Sequence, residues 1–519
     1  MLSASDVVLL LAAAIIAIPS FKIFVLGPDK DVKKSSIPPG PTRLGKGPFD
    51  MPAEPYKRFM ELAKEYGPVF SFKLGRTPVI VLNSGKAAWD LLEKRGDMYS
   101  SRPRNIMGQE IMSKGYWGLG MQYGEQWRRW RKFCAMCMNA AYAKRNYRPF
   151  QTHESALLMR DIMYGPQMYK KHFERFATSL TFSVAYGNRI ATLNDPLLKE
   201  NRVAGSAFAA TMVPGKYFIE SYPWLLWLPR PLQWFRKAME ERGAQNTALY
   251  TRLFREVKKK MDAGTAKPCI SMHLWEHGPS PELTETEMAY YTAMPFAAGT
   301  TTTFGSLELF TLAAILHPAA VAKAQAELDG VVGRSRYPTF DDEPSLPYVK
   351  AFIKESMRWQ VVAPTGLAHA TTAEDEYEGF RIPKGATVWG NINAISHDPD
   401  LFDSPELFEP ERFLGERGKH PRLADFDLPF GFGRRICPGR AIAEQALFIV
   451  ISRMLWAFDF SPARDEKGQA LLPDPNNATS NVTRRPAVFP CALKPRNEEV
   501  GVLIREEAAR AEEALKEWE

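Results

Sequence analysis

Apolar residues recur along most of the chain at spacings of three and four positions, which is typical of helices. The longest apolar segment covers positions 288–316. Two short runs rich in β-branched and aromatic residues, 69–74 and 79–82, are separated by a Gly-Arg-Thr-Pro turn and predict a hairpin. The pattern predicts helices over 84–96, 124–143, 171–186, 232–262, 283–316, 317–331 and 345–361, with short strands near 377–388 and 484–493. We therefore expect a mostly α (α+β) fold with little sheet.

The N-terminal segment 7–26 is apolar, and Lys22 is its only charge. A helix of about 20 apolar residues is long enough to span a bilayer. A cleaved signal peptide is the alternative, but Asp6 and no basic residue precede the segment. Three lysines follow within positions 30–34, so the positive-inside rule predicts that the rest of the chain lies in the cytoplasm.

A stiff Pro-Pro-Gly-Pro connector begins at position 38, and no repeat or linker interrupts the chain after it. This predicts two units, an anchor with its linker over 1–37 and one domain over 38–519. Residues 207–235 are dense in aromatic residues and proline, which fits either a well-packed loop or an amphipathic lid that enters lipid. The charged tail 505–519 is predicted to be a solvated helix.

The composition is modestly basic, with a formal net charge of +8. Because nearly as many acidic side chains are interspersed, nucleic acid is a poor candidate partner, and an anionic membrane or an acidic redox partner fits better. Five cysteines in a chain of 519 residues do not form a disulfide framework, so we expect a reducing compartment. Cys134 and Cys137 have the spacing of a redox motif, but no strand precedes them and they are interpreted as core packing.

A cysteine stands at the end of a glycine-rich loop, directly before an apolar segment that could begin a helix. Glycines let a backbone turn and approach a flat partner closely. Nearby arginines and a helix N-terminus favour a thiolate, which is a suitable axial ligand for iron. The alternative is a structural cysteine buried in a turn. The motif Phe-x-x-Gly-x-Arg-x-Cys-x-Gly is complete, formed by Phe430, Gly433, Arg435, Cys437 and Gly439, with Gly431 in its first variable position.

This loop resembles the haem-binding loop of the cytochrome P450 family, and the resemblance extends over about 38–495. It implies a helical triangular prism with a small β-rich lobe, preceded by an N-terminal transmembrane helix. It also implies haem b as cofactor, with Cys437 as the axial ligand to the iron. The chain looks most similar to the membrane-bound fungal members of secondary metabolism.

A Glu-x-x-Arg sequence, Glu355 and Arg358, places two side chains on one helix face, and Arg412 follows downstream. On its own the pair would be an exposed ion pair of little energetic value. The resemblance implies instead a buried structural network that includes Arg412 and clamps the region of the cysteine loop.

Trp127 and Arg131 share one face of a predicted helix and could hold a carboxylate together. The resemblance implies that they bind the haem propionates, with Arg435 and His369 as further partners. For His369 the alternative is an ordinary loop residue.

A run of four threonines follows Ala298 and Gly299 within the long apolar segment. Threonine hydroxyls can bond to a carbonyl one turn earlier and bend a helix. The resemblance implies that Thr302 is the alcohol that steers protons during oxygen activation. Thr301 stands where the family has an acid, so proton delivery would have to use water or a substrate hydroxyl.

The segments 103–122, 208–220, 361–367 and 479–483 are expected to line a substrate cavity, and their apolar character indicates a lipophilic substrate. The resemblance implies a monooxygenase that hydroxylates or epoxidises a small molecule, such as a terpenoid, with O2. No flavin or nicotinamide motif is present, so electrons would come from an NADPH-dependent reductase in the endoplasmic reticulum membrane, docked near Lys132, Arg434 and Arg440. The alternatives are an O2-independent isomerase or dehydratase and a haem-binding protein without turnover.

Overall fold

The computed structural model describes residues 36–45, 47, 50–278, 283–418, 421–480 and 482–519. The predicted anchor 7–26 lies outside these residues. Among the described helices, none alone has the length and hydropathy of a membrane span. The helices Glu285–Leu316 and Pro318–Val331 meet that criterion only as a pair, across a bend of 104°.

Helices are the main secondary structure of the described chain, as the periodicity predicts. They are α1 (Pro55–Tyr66), α2 (Glu125–Cys137), α3 (Arg148–Tyr164), α4 (Tyr169–Tyr186), α5 (Pro196–Thr211), α6 (Lys237–Asp262), α7 (Ile270–His277), α8 (Glu285–Leu316), α9 (Pro318–Val331), α10 (Pro347–Trp359), α11 (Arg440–Ala457) and α12 (Glu498–Leu515). Shorter α-helical segments are Gly85–Ala88, Gly96–Tyr99, Ala140–Asn146, Phe218–Ser221, Ile392–Ser396, Gly415–Gly418 and Pro421–Ala424, and two π-helical segments are Trp89–Lys94 and Ile106–Met112.

The strands are short and lie in small sheets. They are β1 (Val69–Leu74), β2 (Thr77–Leu82), β3 (His369–Ala370), β4 (Asp375–Tyr377), β5 (Phe380–Ile382), β6 (Thr387–Gly390), β7 (Phe458–Pro462), β8 (Ala478–Ser480), β9 (Arg484–Pro486) and β10 (Cys491–Pro495). The predicted hairpin is confirmed, because β1 pairs antiparallel with β2. Strand β6 then joins β2 in parallel and β3 joins β6 antiparallel, giving the order β1-β2-β6-β3.

Helix α8 is the central element of the core. It packs against α4, α6, α10 and α11, and buried residues occur on all of its sides. A helix enclosed in this way needs no polar face, which explains the long apolar segment in the sequence. Pro295 lies inside this helix and has no backbone N–H, so the carbonyl of Tyr291 loses its usual partner at the start of the central stretch.

Two predicted helices are divided in the structure. The segment 84–96 contains a short α-helix followed by the π-helical turn Trp89–Lys94. The segment 124–143 is interrupted before Asn139, whose side-chain oxygen accepts a hydrogen bond from the N–H of Tyr142 at 2.9 Å and begins a new helix. An N-cap of this kind ends one helix and starts the next without a loop.

The C-terminal segment is helical as predicted, but the prediction that this helix is solvated is wrong for one of its faces. Helix α12 begins at Glu498 and packs along α3, with an apolar stripe that includes Ile504 fully buried. The remaining members of this stripe are Val500, Ala508, Ala511 and Leu515. The many charges of the tail lie on the opposite face. They obscure the stripe in the sequence, because two of its members, Ala508 and Ala511, are only weakly hydrophobic.

We expect Ile504→Asp to lower the free energy of unfolding by about 3 kcal/mol or more, because it removes a buried side chain and places a charge there. Val502→Asp is the matched control, since Val502 lies on the same helix and is 39% exposed. Urea denaturation of both variants measures the difference. Equal stability of the two variants would contradict the docked position of α12.

Candidate functional site

A cavity of about 880 Å³ lies beside the middle of α8. Helices α4 and α5 close one side, and the cysteine loop 429–439 forms the other. All four segments predicted to line a cavity contribute to its wall, through residues such as Trp117, Phe208, Val362 and Thr483. The wall is largely apolar, so the cavity can hold a sizeable hydrophobic molecule.

The cysteine loop is held by its own backbone. The N–H of Cys437 donates to the carbonyl of Phe430 at 2.9 Å, which closes the loop across the glycines. Gly431 and Gly433 have φ angles of 87° and 52°, a region that other residues rarely adopt. A Cβ on Gly433 would lie 2.3 Å from the carbonyl oxygen of Leu92, so this glycine also permits close packing. Gly439 has an ordinary backbone, and a Cβ there would make only ordinary van der Waals contacts, the nearest at 3.6 Å.

The thiol of Cys437 lies next to the cavity. Burial raises its pKa, whereas the N–H of Gly439 and the charge of Arg131 act in the opposite direction. The sequence predicts that Arg434 and Arg435 favour the thiolate. In the structure Arg434 forms an ion pair with Asp97 at 2.6 Å, and Arg435 points to backbone carbonyls. The basic side chain that acts on the sulfur is thus Arg131.

The second cysteine in the cavity wall, Cys134, lies inside helix α2, and burial raises the pKa of its thiol to about 12. Cys137 is buried one turn further along, with its Sγ 3.3 Å from the carbonyl oxygen of Phe133. The interpretation of this pair as core packing is confirmed.

Basic side chains gather at one end of the cavity without acidic partners. Arg435 donates to the carbonyls of Ser100 and Met121 at 2.6 and 2.7 Å. Burial, with the neighbouring charges of Arg102 and Arg131, lowers the pKa of Arg435 to about 8. Within the described residues, none of these three arginines forms an ion pair with a carboxylate.

Arg102 and His369 complete this cationic cluster. Arg102 donates to the carbonyls of Leu367 and Ala368 at 2.8 and 2.7 Å, and burial lowers its pKa to about 10. Nδ1 of His369 lies 2.8 Å from the carbonyl oxygen of Tyr99, and burial holds the pKa of the ring well below its usual value. Nδ1 therefore carries the proton that the carbonyl of Tyr99 accepts. Nε2 can donate to a carboxylate only when the ring is doubly protonated, a state that a neighbouring anion favours.

Trp127 and Arg131 lie behind the cavity wall, beside this cluster. The guanidinium of Arg435 sits 4.5 Å from the centre of the Trp127 ring, and the indole N–H of Trp127 is buried without a partner in the described structure. Trp130, on the same helix, lines the cavity directly. A buried donor and buried cations without counter-charges are both satisfied by an anionic ligand, so the residues fit a cofactor with two carboxylates.

The threonine run keeps α8 helical. Thr302 donates to the carbonyl of Ala298 at 3.2 Å, the predicted bond to the preceding turn, and the helix continues without interruption to Leu316. Thr301 and Thr302 both line the cavity. The hydroxyl of Thr302 thus bonds within its own helix while the residue forms part of the cavity wall, and no carboxylate is present on this turn of the helix.

The Glu355 network is fully buried. Its carboxylate accepts two bonds from Arg358, at 2.7 and 2.8 Å, and one from Arg412 at 3.1 Å. Arg358 also donates to the carbonyls of Ser396 and Leu407. The network thus ties α10 to the segment that precedes the cysteine loop, while its hydrogen bonds do not reach the loop itself.

Sequence reasoning did not identify Arg102 or the pair formed by Glu308 and Arg485. Arg485 lines the cavity and holds buried Glu308 at 2.6 and 3.0 Å. Arg102 stands in an irregular stretch with no motif, and only its burial next to Arg435 distinguishes it. Glu308 could have been noticed as the one acid in the second half of an apolar helix.

A family model described as cytochrome P450 matches residues 38–485. Cytochrome P450 monooxygenase 58 of Postia placenta is 35% identical over 91% of this chain and 91% of that protein. Cytochrome P450 monooxygenase COX2 of Coprinopsis cinerea is 34% identical over 96% of each chain. A solved structure of a zebrafish cytochrome P450 with abiraterone has a TM-score of 0.68 at 24% identity, and covers 85% of this chain and 100% of that chain.

Fold and site together define a helical protein whose cavity joins a cysteine loop to buried arginines that have no carboxylate partner in the described structure. The chain belongs to the cytochrome P450 family and is a haem-thiolate monooxygenase. Its cofactor is haem b with an axial cysteine thiolate, and its reaction requires O2, a reductase as redox partner and a small substrate.

We expect Glu355→Leu to lower the free energy of unfolding by about 3–5 kcal/mol, because Arg358 and Arg412 would be left buried without a counter-charge. Glu61→Leu is the control, since Glu61 pairs with Arg58 on the surface, 62% exposed, and its loss should cost about 1 kcal/mol or less. Urea denaturation measures both values. A similar small effect for both variants would show that the buried network contributes little.

Proposed function

We propose that this chain hydroxylates or epoxidises a lipophilic secondary metabolite, such as a terpenoid, with O2 and electrons from an NADPH-dependent reductase. The proposal rests on one observation, the large apolar cavity that joins the cysteine loop to the threonines of α8. A substrate without charges suits such a wall, because burying apolar surface supplies most of its binding energy.

Cys437 is the proposed axial ligand. Of the described cysteines only Cys134 and Cys437 line the cavity, and Cys134 is fixed within a helix with an inert thiol. The haem supplies reductive activation of O2. The residues of the chain hold the cofactor, shape the cavity, exclude bulk water and carry protons.

The cationic cluster is the proposed binding site for the two haem propionates. Arg102, Arg435 and His369 line the cavity, and Trp127 and Arg131 stand directly behind them. Charge-assisted bonds to a buried carboxylate are the strong ones, and arginine can make them in pairs. Phe430, Gly431, Gly433 and Gly439 would keep the loop narrow enough for a flat ring to approach.

Thr302 is proposed to donate protons at the oxygen site, which is the place in the cavity where O2 is reduced. Thr301 stands at the position where the family has an acid. The missing carboxylate at position 301 would also suit an O2-independent isomerase or dehydratase, but the match to the monooxygenase family argues against that alternative. Consumption of NADPH and O2 in step with product formation would distinguish the monooxygenase from this alternative.

The reductase is proposed to dock on the cationic face beside the cysteine loop. Arg434 and Arg440 form ion pairs there with Asp97 and Glu444, respectively. They therefore contribute less positive charge to this face than the sequence suggests. Lys132 is exposed on α2 and forms no ion pair within the described structure. It is therefore the first residue to test in docking.

Anchoring in the endoplasmic reticulum membrane through 7–26, with the body in the cytosol, is likewise a proposal. Aromatic side chains protrude from the segment after α5, where Trp227 and Trp234 are 83% and 67% exposed. Tryptophan favours the interface of a bilayer, so this segment is the proposed second membrane contact.

In vesicles that contain brominated lipids, we expect Trp227→Phe with Trp234→Phe to reduce the quenched fraction of tryptophan fluorescence in the full chain. Trp359→Phe is the control, because Trp359 is buried and should not meet lipid. An unchanged quenched fraction in the double variant would exclude this membrane contact.

We expect Cys437→Ala to abolish the red-shifted absorption band of the reduced, carbon-monoxide-bound protein, because only a thiolate opposite CO produces that shift. Cys134→Ala provides a matched control on the same cavity wall and should retain the band. A band at the position typical of histidine ligation in the unmodified protein would overturn the proposed function.

A further inference from the structure

A line of polar side chains runs along the cavity wall between α4, α5 and α8. On α4, residues Glu174, Thr178 and Thr181 follow at i, i+4 and i+7, which places them on one face. Asn201 of α5 and Thr300 of α8 continue the line, and all five residues line the cavity. We call this line the polar seam.

The inner end of the seam is a pair of hydroxyls. Oγ1 of Thr181 and Oγ1 of Thr300 are 2.9 Å apart, and either can donate. Thr181 also has the carbonyl of Ala177 within 2.9 Å, and Thr300 has that of Phe296 within 2.9 Å. Each hydroxyl has a single proton for more than one acceptor, so the pair has alternative arrangements of similar geometry. This is the property that a proton relay needs.

Asn201 supplies an acceptor that the protein leaves unsatisfied. Its Nδ2 donates to the carbonyl of Phe296 at 3.1 Å, which fixes the orientation of the amide. Its Oδ1 is then buried and has no partner in the described structure. The residue is 6% exposed and lines the cavity. A buried acceptor without a protein partner is normally satisfied by an ordered water molecule.

The outer end of the seam reaches solvent. Glu174 is 25% exposed at its side chain and forms an ion pair with Arg202, which is 63% exposed. Both bonds from Arg202, at 2.6 and 3.2 Å, end on Oε1 of Glu174. Among the described residues of the cavity wall, Glu174 is the only carboxylate.

We propose that the polar seam carries protons from solvent to the oxygen site, in place of the acid that is missing at position 301. Glu174 is the entry, a water molecule on Oδ1 of Asn201 is the middle step, and Thr181 with Thr300 is the inner end. This inference rests on the proposed monooxygenase function.

The stoichiometry explains why a route is needed. Insertion of one oxygen atom from O2 into a C–H bond takes two electrons from the reductase and two protons, and the other oxygen atom leaves as water. Each proton that the seam passes inward is replaced by one from solvent at Glu174. The seam residues are therefore unchanged after a turnover.

The test needs no identified substrate. With reductase and NADPH alone, the haem-loaded chain can reduce O2 to H2O2, with two electrons and two protons, or to water, with four of each. We expect Thr181→Val, Thr300→Val and Asn201→Leu each to lower the flux to water by about tenfold and to raise the share of consumed O2 recovered as H2O2. Glu174→Gln should act in the same direction.

Thr311→Val is the matched control, because Thr311 is a buried threonine of α8 that donates to the carbonyl of Leu307 at 2.9 Å and does not line the cavity. It should leave the distribution of products unchanged. Seam variants that behave like this control would overturn the proposal, as would an unmodified protein that returns all consumed O2 as H2O2.

A second measurement does not depend on turnover. Crystal structures of the haem-loaded chain should show an ordered water molecule within hydrogen-bond distance of Oδ1 of Asn201, which Asn201→Leu should lose. A dry site in the unmodified protein would exclude the relay. The carbon-monoxide spectrum of each variant separates the two hypotheses. Absence of the thiolate band from the unmodified protein would contradict the monooxygenase. An intact band in a seam variant whose product distribution is unchanged would contradict only the seam.

Discussion

The burial of positive charge without a counter-charge from the protein is the constraint on which this site depends. Moving an ion out of water costs several kcal/mol even after the surroundings relax. In the described structure Arg102 and Arg435 donate to backbone carbonyls, Arg435 also lies against the Trp127 ring, and neither has a carboxylate partner. Burial accordingly lowers the pKa of both side chains. The two carboxylates of haem would supply the missing charge. The stability of the native chain would then be coupled to haem loading, because a ligand that binds only the folded state stabilises it.

The Glu355 network shows how the same chain treats buried arginines that have no ligand to bind. Arg358 and Arg412 are as deeply buried as Arg102, yet a carboxylate stands between them and backbone carbonyls take the remaining donors. The positive charges of that cluster are balanced by a carboxylate of the protein, whereas in the described structure those around Arg435 are not. Charge balance thus distinguishes the structural network from the proposed propionate site.

The periodicity of the sequence predicted the long helices and the first hairpin well, because burial of α8 and α10 leaves a clear apolar pattern. It failed where local chemistry overrides periodicity, as at Trp89–Lys94, where the helix changes its hydrogen bonding, and at Asn139, which caps a new helix. The cysteine motif located the loop because spacing along a tight turn is a local property. The cation that acts on the sulfur could not be found in this way. Arg434 is near Cys437 in sequence but turns to Asp97, while Arg131 comes from a distant helix.

The four threonines of α8 show why the neighbours of a motif matter as much as its members. Successive residues of a helix point about 100° apart, so a run of four covers the whole circumference. Thr302 and Thr300 both line the cavity, but Thr302 bonds within α8 whereas Thr300 also contacts Thr181 and Asn201 on the adjacent helices. An acid at position 301 would have supplied protons from within α8. With threonine in its place, the polar contacts of the run lead sideways into the contact with α4 and α5. The carboxylate proposed to take the place of that acid is then Glu174 on a different helix, and polar side chains of α4 and α5 lie between it and Thr300.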